Sequence, residues 1–94
     1  MRVIGVDKID EFIRKHSDSK GWLEAWLAET RSNEWQHWND IKARYNSARI
    51  LDANRVIFNV KGNTYRMEIQ VSYKNKLVII KRLGTHAEYD RWNT

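Results

Sequence analysis

Two hydrophobic periods divide the chain. Through residue 47 the apolar side chains recur at helical spacing, and from Arg55 onward they alternate or run together as they do in strands. The opening MRVIGV reads as a short strand, Val3 to Val6 at most. Asp7 is then placed to cap a helix carrying Ile9, Phe12, Ile13 and His16 at i, i+3, i+4 and i+7. The cluster HSDSKG interrupts that stripe. A second stripe of Leu23, Trp26, Leu27 and Thr30, flanked by Trp22, predicts two antiparallel helices joined by a short loop. In SNEWQHWND, Trp35 and Trp38 are expected to cover the open end of the core. Asn39 is expected to cap a short helix, DIKARY, with Ile41 and Tyr45 one turn apart.

The second half predicts three strands, RVIFNV, TYRMEIQVSY and KLVIIKRL, joined by KGN and KNK as hairpins of an antiparallel meander. A two-residue turn at Gly62-Asn63 pairs Val60 with Tyr65, Phe58 with Met67 and Val56 with Ile69, all on one face. The same register sends Asn59, Arg66, Arg55 and Gln70 to the other face, with Lys61 beside the turn, so that face is polar and mostly basic. The third strand is apolar at almost every position, and its pairing with Ser72 or Tyr73 stays open. The expected architecture is α+β, with the N-terminal helices on one face of a small, mainly antiparallel sheet and a short C-terminal helix.

Composition narrows the class. With 94 residues, one domain spanning 1–94 is expected. The absence of Cys rules out disulfides, thiolate metal sites and a Cys nucleophile. No signal-peptide pattern and no apolar run of about 18 residues is present, which predicts a cytoplasmic protein away from membranes. The net charge of +5 is uneven. Residues 1–47 hold eight Lys/Arg and eight Asp/Glu, whereas residues 48–94 hold nine and four. Such a one-sided excess suits nucleic acid or an acidic protein, although a plain soluble protein of high pI is an equal reading of charge alone.

Candidate chemistry gathers near the C-terminus. No P-loop, G-x-G-x-x-G, H-E-x-x-H or G-x-S-x-G motif occurs, and His16, His37 and His86 are not spaced as a metal cluster, so neither a cofactor nor a metal is expected. Thr85-His86-Ala87-Glu88 matches a capping box. His86, Tyr89 and Asp90 then share one face of the final turn, where Tyr89 can equally pack under the sheet and Asp90 pair with Arg91 or Lys81. Arg66 stands mid-strand on the polar face, where an ion pair with Glu68 or a neighbouring strand is the structural alternative. The Trp residues, at helical spacing among Leu, Ile and Phe, are read as core in preference to a base-stacking platform. Arg, His and Tyr on one basic surface would supply what RNA cleavage needs: a base for the ribose 2′-OH, a cation for the developing phosphorane charge and an acid for the 5′-oxygen.

The segments MRVIG, DIKARY, NRVIFNVKGNTYRM and GTHAEYD, in this order and at similar spacing, resemble the HigB family of toxins, RelE-like members of type II toxin–antitoxin systems. The resemblance covers essentially the whole chain. It implies a RelE-like fold and an mRNA interferase that cuts messenger RNA, often on translating ribosomes. It also implies a HigA-like helix-turn-helix antitoxin that neutralises the toxin and represses their operon. Carried onto this chain, it places catalysis on Arg66, His86 and Tyr89, with Asp90 orienting His86, and RNA binding on Arg55, Lys61 and Arg82. His86 is expected as general base or acid, Arg66 as stabiliser of the phosphate transition state and Tyr89 as a stacking or proton-orienting group. The alternative is a non-catalytic basic module of the same fold that binds RNA or protein.

Overall fold

The computed structural model describes residues 1–52 and 54–92. A short strand β1 (Arg2–Ile4) leads through Gly5 into helix α1 (Val6–Lys15). Gly5 takes φ +95°, and a Cβ there would stand 3.0 Å from the carbonyl oxygen of Ile80. Only glycine lets the chain turn this tightly beside the sheet. The helix therefore begins at Val6, with Gly5 as its N-cap, and Asp7 lies within its first turn instead of capping it. A 3₁₀ turn (Ser17–Ser19) separates α1 from α2 (Lys20–Ser32), and α3 spans Trp38–Arg44. The cap of α3 is His37, whose Nδ1 accepts from the backbone N–H of Asn39. Asn39, the cap expected from the sequence, is inside the helix.

Five strands form one mixed sheet in the order β1-β5-β4-β3-β2. β3 (Arg55–Val60), β4 (Tyr65–Ser72) and β5 (Leu77–Thr85) are the predicted meander, and the β3–β4 register pairs Val60 with Tyr65, Phe58 with Met67 and Val56 with Ile69 as the alternation requires. The β4–β5 register settles on Ser72 opposite Leu77 and shifts between Glu68 and Ile69, so that Lys81 is left as an extra residue. Two pairings lie outside the meander. β1 runs parallel to β5, and β2 (Arg49–Asp52) adds an antiparallel edge strand beside β3.

The hydrophobic cluster joins Ile9 and Phe12 of α1, Leu23 and Trp26 of α2 and Ile41 of α3 to Val56, Phe58, Met67, Ile69, Val78 and Ile80 of the sheet. Phe58 is its aromatic centre, edge-to-face with Trp26 and Tyr45 at ring separations of 5.5 and 5.2 Å. Trp35 is buried in the cluster and Trp38 is half-buried. The strand positions between these core residues, among them Arg66, Glu68 and Gln70, lie on the opposite side of β4. Among the described residues, no helix is long and apolar enough to cross a membrane.

Candidate functional site

The C-terminal turn is built by its cap. The Thr85 hydroxyl accepts from the Glu88 N–H at 3.1 Å, and the Glu88 carboxylate accepts from the Thr85 N–H at 2.9 Å, completing a capping box at the start of α4 (His86–Tyr89). The hydrogen bond from the Thr85 backbone holds the Glu88 carboxyl below its ordinary pKa. Gly84 leaves space beside this turn, because a Cβ at that position would meet Trp92 at 2.9 Å and the Glu88 Cβ at 3.1 Å. The chain can therefore fold α4 and Trp92 closely back against β5.

Three arginines from three strands meet the aromatic side chains of this segment. Arg66 is 7% exposed. Its guanidinium donates to the Asn63 side-chain oxygen at 2.6 Å and to the carbonyls of Asn63 and Tyr65, and it lies 5.2 Å from the Tyr89 ring centre. Arg49 of β2 donates to the Tyr89 hydroxyl at 2.8 Å. Arg82 of β5 lies 4.4 Å from the Trp92 ring centre and is held at 2.9 Å by the buried carboxylate of Glu68, its cross-strand partner. Both guanidinium–ring separations are within the roughly 6 Å over which a cation is drawn to an aromatic face.

His86 is exposed, with its ring centre 6.5 Å from that of Tyr89 and its Nδ1 3.4 Å from the Asp90 carboxylate. The structure thus brings Arg66, His86, Tyr89, Asp90 and Arg82 together around α4. Two predicted residues lie apart. Arg55 pairs with Asp52 at 3.0 Å, four residues along the sheet from Arg66, roughly 13 Å at strand spacing. Lys61 departs from the basic face on which the pattern placed it. It sits in the hairpin turn at φ +51°, and its ammonium reaches Asp18 in the 3₁₀ turn at 2.9 Å, beside the Tyr65 hydroxyl, which donates to the same carboxylate at 2.6 Å. The structural alternative for Arg66, an ion pair with Glu68, is not formed among the described residues, where Glu68 pairs with Arg82 instead.

Arg49, Glu68 and Trp92 were not expected at this site. Arg49 belongs to a strand that the alternation did not reveal, although Ile50-Leu51 between two charged residues was a faint sign of it. Trp92 stands three residues after Tyr89, the spacing that puts two side chains on one face of a helical turn. The assembled surface offers fixed positive charge, a phenol and an imidazole, the groups that stabilise a phosphorane and move protons. Among the described residues, no cluster of three or more His, Cys, Asp or Glu side chains is placed to hold a metal ion.

A family model for the HigB toxin, described as the RelE-like toxic component of a toxin-antitoxin system, matches residues 19–92. The match takes in all three arginines and the whole of α4. No curated protein matches the chain.

Proposed function

The chain belongs to the HigB toxin family, the RelE-like toxic components of toxin-antitoxin systems, and from that membership we propose that it is an endoribonuclease that cleaves messenger RNA on translating ribosomes. The observation that carries the proposal is the convergence of Arg66 and Arg49 on Tyr89, next to His86, on the sheet side opposite the Phe58 cluster. In this reading the chain acts as one domain over residues 1–94, with its N-terminal helices forming a layer on the far side of the sheet from the RNA.

The reaction is attack of a ribose 2′-oxygen on its own 3′-phosphate, with no metal required. His86 moves a proton, with Asp90 orienting its ring. Arg66 stabilises the charge that builds on the equatorial oxygens. Arg66 suits this task because its other donors are already fixed by Asn63, so little reorganisation accompanies the reaction. Tyr89 lies between the charge and the bases. Arg82, with Arg55 and Lys61 farther out, supplies contacts to the phosphate backbone, which position RNA without reading its sequence. The antitoxin that the family implies is proposed to be a HigA-like helix-turn-helix protein that neutralises the toxin and represses their operon.

Mapping of mRNA 5′ ends after brief induction tests the reading. New ends inside translated regions are expected with the wild-type chain and not with His86→Ala or Tyr89→Ala, while both variants remain folded and keep antitoxin binding. Growth arrest with unchanged transcripts would instead favour a non-catalytic basic module that binds RNA or protein.

A further inference from the structure

The hydroxyls of the four tyrosines are treated differently by the fold. Those of Tyr45 and Tyr65 donate to the carboxylates of Glu29 and Asp18, so their protons are already engaged. The hydroxyl of Tyr73 is buried without a partner among the described residues. Among the described residues, Tyr89 alone receives a hydrogen bond from a cation, from Arg49 Nη1 at 2.8 Å. A guanidinium has only donors, so the Tyr89 oxygen can meet it only through a lone pair, and its own O–H proton stays free to point elsewhere.

We infer that Arg49 is a positioning residue that makes Tyr89 the proton donor to the leaving group, an assignment that rests on the RNA cleavage proposed above. Arg49 holds the phenol oxygen, and Arg66, buried and anchored by Asn63, lies against the ring. The phenol is thereby fixed between two cations, its oxygen held in one place and its own proton left free to be given. His86 then takes the other role. It accepts the 2′-OH proton as the 2′-oxygen bonds to phosphorus. The bond from phosphorus to the 5′-oxygen breaks, and that oxygen takes the proton of Tyr89. The products are a 2′,3′-cyclic phosphate and a 5′-hydroxyl, and the proton held by His86 returns to Tyr89 through solvent. Arg49 transfers no proton itself.

The test is single-turnover cleavage of ribosome-bound message by the whole protein, comparing Arg49→Ala, Arg49→Lys, Tyr89→Phe and the Arg49→Ala/Tyr89→Phe double variant. Arg49→Ala is expected to lower the rate at saturation on the order of tenfold, part of the 10²–10⁴ that a positioned acid contributes, with the half-saturating concentration little changed. Arg49→Lys restores part of that rate, and the double variant is no slower than Tyr89→Phe. A message with sulfur in place of the 5′-bridging oxygen at the cleaved linkage should erase the losses of all three single variants, because a thiolate leaves without a proton. Losses that persist on the sulfur substrate, or that multiply in the double variant, would overturn the inference and leave the cleavage reading intact. Failure of the wild-type chain to cleave any message would overturn the reading itself, and the inference with it.

Discussion

On one side of β4, Met67 and Ile69 are fully buried in the same cluster as Phe58 and Trp26; on the other, Arg66 and Glu68 are buried almost as deeply, at 7% and 4% exposure. The first side is held by apolar area removed from water, a sum of many interchangeable contacts. The second is held by a few directional ones: Asn63 and Tyr89 on Arg66, and Arg82 on Glu68. Equal burial therefore has unequal origins. The apolar side gives the molecule its stability, whereas the polar side spends stability on holding charged groups in one arrangement, the condition a reactive surface needs.

The sharpest break of this contrast comes from the apolar side. Phe58→Ala is expected to cost about 3–5 kcal/mol, the range for deleting a buried aromatic ring, measured by urea denaturation. A loss under about 1 kcal/mol, the scale of a surface substitution, would deny that side its role. Glu68→Ala comes next. It leaves the Arg82 guanidinium without its carboxylate, and because Arg82 reaches solvent at 39% side-chain exposure the expected loss is only about 1–3 kcal/mol. The same change in an Arg82→Ala background should cost clearly less, and equal losses in both backgrounds would show that the pair is not what holds Glu68.

Smaller effects sharpen the comparison. Gly84→Ala places a methyl 2.9 Å from the outer edge of the Trp92 indole, and because a side-chain edge rather than backbone is crowded, the expected cost is near the low end for overpacking, about 1 kcal/mol. Trp92→Ala should remove that cost, and the two changes adding independently would argue against the contact. The smallest effect is on acid stability. The Tyr65 hydroxyl, then the Lys61 ammonium, hold the Asp18 carboxyl below its ordinary pKa, and Glu88 is lowered by its cap. A carboxyl depressed on folding contributes fully above its unfolded value, near 4, and loses that contribution as pH falls through the folded value. Thermal midpoints should therefore fall as the solution is acidified below about pH 4. Asp18→Asn should lower the midpoint slightly at neutral pH and make the acid decline shallower, and an unchanged decline would place the titrating group elsewhere.

Much of the fold was legible because hydrophobic alternation is a local signal. The β3–β4 register followed from three apolar pairs that only one alignment could place on a single face, since a shift of one residue would have turned Phe58 and Met67 outward. The capping box followed from four consecutive residues. β2 was not legible, since Arg49–Asp52 is too short to show a period and pairs as an edge strand. The starts of α1 and α3 were each misplaced by two residues because Gly5 and His37 cap them, the first through a left-handed φ and the second through an imidazole. The route of Lys61 to Asp18 crosses 43 positions of sequence, and no local pattern encodes it.

Within the candidate site the same division holds. Residue types and spacing alone placed Arg66 on the polar side of its strand and His86, Tyr89 and Asp90 on one turn, because strand and helix periods act within a few residues. The family resemblance was equally readable from the order of short motifs, and the match over residues 19–92 takes in three of the four. Which arginine meets which ring was not written in any local pattern. Arg49 reaches Tyr89 across 40 positions, and Glu68 takes Arg82 in preference to Arg66 because the extra residue at Lys81 sets the β4–β5 pairing. Such contacts depend on how distant strands and the C-terminal turn are brought together, and that placement follows from the packing of the whole molecule.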